Sequence, residues 1–185
     1  MEWMPQLGIG WLNGWLPASL LLIVDLAVFA NLPKDVVRRF WDRSGWERRQ
    51  VLLTAIGKVV ALALIVLLVL TPLKIGSPVL GVGLIIVALG FAGLAQSFRD
   101  FVTTPLGEPV TRGIYGFTRH PQNLMSSVIL LGCAIATGSW VNVLLILVAR
   151  AFGHANLVAE EEVCLRHYGD AYQAYLHKTR RYGLF

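Results

Sequence analysis

Across residues 50–73, "QVLLTAIGKVVALALIVLLVLTPL", Lys58 is the lone charged side chain. Wound into a helix at 1.5 Å per residue, that stretch reaches about 36 Å, more than the roughly 30 Å of a bilayer's hydrocarbon core. It is too long for a strand and apolar on every face, so no soluble fold could give it a wet side. A chain containing it is expected to be built across a membrane. Further apolar runs agree, at about Leu12 to Leu32 and Val79 to Phe98, with two shorter ones at Leu124 to Ala136 and Trp140 to Ala155. "TGS" joins the last two and reads as the turn of a helical hairpin. At 56% hydrophobic and 15% charged, the composition lies outside the range of soluble domains.

The expected fold is therefore an all-α integral membrane protein. It has five transmembrane helices, the last two forming a helical hairpin, and a cytoplasmic C-terminal helical segment that is too polar to span. No repeat or linker divides the chain, so residues 1–185 form one domain. A three-helix part covers 1–98, and 99–185 holds the hairpin and the C-terminal segment. A formal charge of +5 could suggest nucleic acid, but the cations lie in the loops. Lys34, Arg38, Arg39, Arg43, Arg48 and Arg49 follow the first run, and Arg99, Arg112 and Arg119 follow the third. Arg166, Lys178, Arg180 and Arg181 fill the tail, whereas the opposite side carries only Lys74. The positive-inside rule then puts the N-terminus outside and the C-terminus in the cytoplasm, in the inner or plasma membrane of the cell, with the bilayer as partner and no nucleic acid. "MEWMPQLGIGW" lacks the basic start of a signal peptide, so the first run is expected to be retained. Cys133 and Cys164 make no disulfide framework. Asp25 and Lys58 fall at similar depth, about 10 and 12 Å from the cytoplasmic ends of their helices. That suggests an ion pair, with a snorkelling lysine or a substrate contact as the other readings.

Polar residues of the second half converge on the cytoplasmic side. "YGFTRHPQNL", residues 115–124, enters the fourth helix, and the fifth returns with Arg150, His154, Asn156 and Glu160 to Glu162. Steps of three and four align Arg150, His154 and Glu161 on one helical face. Pro121 suits a first helical turn and leaves His120 at the N-cap, where free N–H groups favour an anion. Arg119 adds positive charge, and the glutamates offer acceptors to an ammonium or to ribose hydroxyls. A cleft lined by Tyr115, Arg119, His120, Asn123, His154 and the glutamates would take a ligand bearing both signs of charge. Taken singly, Arg119 could instead meet lipid phosphate, His120 merely cap, and the glutamates form a solvated face.

"GIYGFTRHPQN", followed some 37 residues on by "EEEVCLRHYGDAYQAY", resembles the C-terminal signature of the isoprenylcysteine carboxyl methyltransferases and of the phospholipid methyltransferases in the same membrane superfamily. The likeness covers about Gly107 to Tyr175. It implies a cytoplasm-facing pocket for S-adenosylmethionine, released as S-adenosylhomocysteine, and a lipophilic methyl acceptor. By position, Tyr115, His120, Glu160 and Glu161 match the motif, and Gly107, Glu108 and Val110 lie in a loop that wraps the cofactor. Arg119, Gln122 and Asn123 complete the expected cofactor-binding set, with no metal. Asn156 stands where the carboxyl methyltransferases place an arginine for the substrate carboxylate, which weakens the case for a carboxylate acceptor. Arg150, His154 and Asn156 are the candidate catalytic residues, His154 as a general base.

Two other families share parts of the string. "TRHPQ" resembles haem-binding proteins related to zeta-carotene isomerase, which carry histidines in both arms of the hairpin. Residues 124–136 contain none. Sterol reductases that use NADPH carry a similar R-H-P motif, for which Asn123 is out of register. The acidic triplet favours methyl transfer over both. The identity of the acceptor is open.

Overall fold

The computed structural model describes residues 1–183, apart from the side chains of residues 39 and 40. Arg39, counted above among the loop cations, thus falls outside the described side chains. Among the described residues seven α-helices follow one another: α1 Trp15–Asn31, α2 Lys34–Phe40, α3 Arg48–Leu70, α4 Pro78–Val102, α5 Pro121–Ala136, α6 Trp140–Tyr168 and α7 Asp170–Lys178. A single 3-10 turn, Gly113–Gly116, lies between α4 and α5. The described residues contain no strand beyond two isolated bridges.

Local chemistry sets the ends. Glu47 and Gln50 form a capping box at the start of α3. The Ser77 hydroxyl accepts from the Val79 N–H with Pro78 in the first turn of α4, and Ser139 accepts from the Asn142 N–H to open α6. Helix α3 stops at Leu70, not Leu73, because Thr71 precedes Pro72 and is driven into extended backbone. Helix α1 starts at Trp15 rather than Leu12, which keeps Pro17 inside the first turn.

The expectation of five spans is met only in part. Three helices, α3, α4 and α6, are long and apolar enough to cross a bilayer. At 17 and 16 residues, α1 and α5 are shorter apolar helices, about 25 Å long, and fall short of the hydrocarbon thickness. Outward-facing apolar side chains nevertheless ring the molecule, among them Leu22, Val59, Leu62 and Leu89, each more than 60% exposed. In water such a girdle would drive association; against lipid tails it is at home.

Helix α4 packs along α5, α3 along α6, and α1 rests on α3, α4 and α5. The α4–α5 contact is a backbone contact. A Cβ placed on Gly83 would lie 2.5 Å from the Ala136 nitrogen and 2.6 Å from the Gly132 carbonyl oxygen. One on Gly132 would meet the Gly83 carbonyl oxygen at 2.7 Å. Leu64, Leu68, Leu94, Ile129 and Cys133 fill the core beside this seam. At one end the N-terminal segment is tied down. The Glu2 N–H donates to the Gly138 carbonyl, the Glu2 carboxylate pairs with Lys74 at 2.6 Å, and the Asn13 amide donates to Gly8 and Val69. The other end of the bundle is where the polar motifs gather.

Candidate functional site

At that end the chain between α4 and α5 is held by Asp100, in the last turns of α4. Its carboxylate accepts from the Ile114 N–H at 3.0 Å and from the Gln96 amide at 2.8 Å. Gly113 has φ +60, and a Cβ there would run into the same carboxylate, so only glycine lets the 3-10 turn sit so close. The turn carries Tyr115 into a buried cluster with Val110, Tyr172 and Tyr175. The Tyr175 hydroxyl donates to the Tyr115 carbonyl at 2.7 Å. Burial pushes the Tyr172 and Tyr175 phenols up, so both remain neutral donors.

His120 occupies the N-cap of α5, but its side chain makes no capping bond. Its ring spans two carboxylates instead: Nδ1 lies 3.3 Å from Glu160 and Nε2 3.0 Å from Glu161. Two nitrogens that both face carboxylates call for two protons, which is the imidazolium. Burial opposes that charge, but the hydrogen bonds from the ring to Glu160 and Glu161 and the charges of the two carboxylates outweigh it, and the pKa is raised. The clamp contributes fully below the unfolded histidine value of about 6.5 and is lost as pH rises through the raised folded value. We expect the melting temperature of the purified protein to fall as pH climbs above about 6.5. His120→Gln should flatten that slope; an unchanged slope in the variant would assign it to another group.

The two glutamates part company here. Glu161 is 5% exposed and accepts from the Arg119 guanidinium at 3.0 Å, from His120, and from both Nε and Nη2 of Arg181 at 2.9 and 2.7 Å. It binds α6 to the Arg119–His120 segment and to the tail, and it does not line the cavity. Glu160 has a 40% exposed side chain, lines the cavity, and is held from behind by the Asn156 amide at 2.6 Å.

The cavity has a volume of about 890 Å³, toward the upper end of the roughly 300–1,000 Å³ usual for small-molecule sites. The segment after α4 together with α5 and α6 supplies one side of its lining, called here the polar arm: Gly107, Val110, Tyr115, Gln122, Asn156 and Glu160. Helices α1 and α4 supply the apolar arm, Leu22, Leu26, Phe29, Leu94 and Phe98, and Asp25 and Lys58 also line the cavity. Arg119, His120 and Asn123 line it as well, so most of the expected cofactor set comes together. Glu108 does not border it. Nor do Arg150 and His154, which open on a second cavity behind His120. The helical stripe thus divides: Arg150 and His154 face one side, and Glu161 turns to its three cations. The suggested Asp25–Lys58 ion pair does not form among the described residues; both charges instead border the same cavity.

Several contributors were not singled out from the sequence. Arg181 and Asp100 carry no motif, since a tail arginine and a helix-end aspartate are common and only the fold brings them to partners. Trp46, in the basic loop after α2, lines the cavity, and Arg43 lies 5.4 Å over its ring. Tyr172 and Tyr175 were legible as the repeated tyrosines of the C-terminal motif.

A sequence model of the phospholipid methyltransferases matches residues 58–171. The chain belongs to the phospholipid methyltransferase family. No curated protein sequence and no solved structure matches it. The match makes the protein a membrane methyltransferase and supports neither the haem-binding nor the reductase alternative. It runs from Lys58 in α3 to Ala171 in α7, so α1 with Asp25 lies outside it, as do Tyr172, Tyr175 and Arg181.

A methyltransferase of this kind needs a donor site, and the cavity has groups suited to one. Three buried donors on cavity-lining residues have no partner among the described residues: Gln122 Nε2, Arg119 Nε and Trp46 Nε1. No side chain caps the first N–H groups of α5. These donors fit a carboxylate or ring nitrogens, and the half-exposed Glu160 fits hydroxyls or an ammonium. The lining thus offers both donors and an acceptor carboxylate, as a zwitterionic nucleoside ligand requires.

Proposed function

We propose that this methyltransferase takes its methyl group from S-adenosylmethionine bound in the polar arm and delivers it to a lipophilic acceptor that enters by the apolar arm. The observation that carries the reading is Glu160. The His120 imidazolium and the Asn156 amide hold its carboxylate at the edge of a cavity whose other walls present unpartnered donors. Held there, S-adenosylmethionine would supply an electrophilic methyl group to the acceptor's lone pair, with S-adenosylhomocysteine as the leaving group. The protein's part is alignment and dryness. Gln122 and the start of α5 would hold the carboxylate end, Glu160 the ribose or ammonium, and the 107–110 loop would cover the nucleoside. Tyr115, Tyr172 and Tyr175 shut the polar arm with buried rings.

The acceptor arm is apolar with two opposed charges, Asp25 and Lys58, which suits a lipid or lipidated molecule whose polar end meets them. Asp25 could take the proton that an amine or thiol releases. By the positive-inside rule the pocket faces the cytoplasm, with the N-terminus outside.

The test is binding of S-adenosylhomocysteine to the purified protein, followed as a shift in melting temperature. A ligand at about a hundred times its Kd stabilises by about 2.7 kcal/mol, so a clear upward shift is expected. Glu160→Gln should weaken binding by about tenfold or more, the loss of a charge-assisted bond, while the free protein stays folded because Glu161 is untouched. Absence of any shift at millimolar product would sink the donor assignment.

A further inference from the structure

The second cavity, about 560 Å³, lies between α5, α6 and the tail, with His120 as the wall it shares with the first. Arg150 and His154 line it together with Ser127 and Tyr182, and no aspartate or glutamate does. We propose that this cavity is a binding site for a membrane lipid with an anionic phosphate headgroup, separate from the methyl-transfer pocket.

Arg150 carries the argument. It lies ten residues into α6, about 15 Å along the axis, and its guanidinium donates to the Asn123 side-chain oxygen. That partner is neutral. Arg119 and Arg181, by contrast, both reach the Glu161 carboxylate, and no described carboxylate lies within ion-pair distance of Arg150. A cation at this depth in an apolar helix is costly without an opposite charge, and the cavity beside it supplies room for one. A guanidinium fork suits phosphate oxygens in particular.

The other walls specify the rest of the ligand. Residues 147, 150, 151 and 154 form one stripe of α6 by steps of three and four. Leu147, at the apolar end of the stripe, is 62% exposed and faces outward. Leu147 borders the cavity at that end, so an acyl chain can leave along it into the bilayer, while Leu124 and the buried Leu157 line the cavity's inner wall. At the polar end His154 is exposed and its Nδ1 meets the Tyr182 hydroxyl at 2.6 Å. Tyr182 is held in place on both sides: Arg181 is fixed on Glu161, and Gly183, at φ +76, packs so closely on Phe117 that a Cβ would clash with its ring. The tail therefore closes the headgroup end and leaves the chain end open. A basic, hydroxyl-bearing pocket with a greasy exit fits a single anionic lipid better than a soluble anion.

The experiment measures lipid binding by native mass spectrometry, with the full-length protein in a neutral detergent and saturating S-adenosylhomocysteine present. Phosphatidylglycerol should bind, and diacylglycerol with the same chains should bind at least about tenfold more weakly, the value of a charge-assisted contact. Glycerol phosphate, the headgroup without chains, should bind no better than diacylglycerol. His154→Glu, at an exposed position, should abolish phosphatidylglycerol binding and leave the melting temperature unchanged. Arg150→Gln should do the same to binding, and Arg150→Lys should restore part of it. Equal binding of diacylglycerol, equal binding of glycerol phosphate, or undiminished binding by His154→Glu would each overturn the proposal. So would displacement of the lipid by S-adenosylhomocysteine, which would place it in the first cavity. Because the readout is lipid mass and not turnover, a failed donor assignment would leave this result standing.

Discussion

Glu161→Ala is expected to collapse the polar end of the molecule. The substitution removes the carboxylate that Arg119, His120 and Arg181 share and leaves three cations facing one another in a buried place. Breaking a buried ion pair from one side costs about 3–5 kcal/mol. In a chain of this length that corresponds to a fall in melting temperature on the order of 10 °C. Glu161→Gln keeps the shape and one carbonyl acceptor, so it should lose less. The tail offers a second readout: with its anchor gone, cleavage near Arg180 and Arg181 by trypsin should speed up at temperatures where wild type is still folded. If Glu161→Ala melts as wild type does, the residue belongs to a solvated face and the keystone role is wrong.

Gly83→Val should be as damaging for a different reason. Its Cβ would collide with the backbone of α5 at Ala136 and Gly132, and no rotamer moves a backbone. Overpacking costs of about 1–3 kcal/mol apply where side chains can yield; here the helices must separate, so the loss should exceed that range. The seam also sets the position of the α5 N-terminus, where His120 and Gln122 meet the cavity, so donor binding should fail along with stability. Gly81, on the same helix, provides the control, because a Cβ there would meet nothing within 4 Å. Gly81→Ala should leave the melting temperature nearly unchanged. Equal behaviour of the two variants would remove the backbone-contact account of the α4–α5 seam.

Much of this is legible in the residues themselves. The apolar runs announce a membrane protein, because apolar length against hydrocarbon thickness is a one-dimensional quantity that needs no fold. Pro121 marks the start of α5, and Ser77 with Pro78 the start of α4, through chemistry local to a few residues. Hydropathy overstates the helices at α1 and α3, where Pro17 and Pro72 limit the backbone while the apolar run continues. The count of spans suffers for the same reason: apolarity shows what lipid would accept, not how many turns the backbone makes.

What the site does with its residues was decided in three dimensions. From spacing, Glu160 and Glu161 are equivalent neighbours on α6. In the fold they point about 100° apart around the helix, so one borders the cavity and the other is buried under Arg119 and Arg181. Arg150 and His154 share a face with each other but not with Glu160, and that separation makes a second cavity out of what looked like one cleft. Asp25 and Lys58, matched in depth, border a common space without touching. The chain's own order of residues thus determined that it enters a membrane, where α4 and α5 begin, and which polar motifs reach one end. Only the packing of α4 on α5 and α3 on α6 decided which way each side chain turns, because rotation about a helix axis is set by contacts with neighbours.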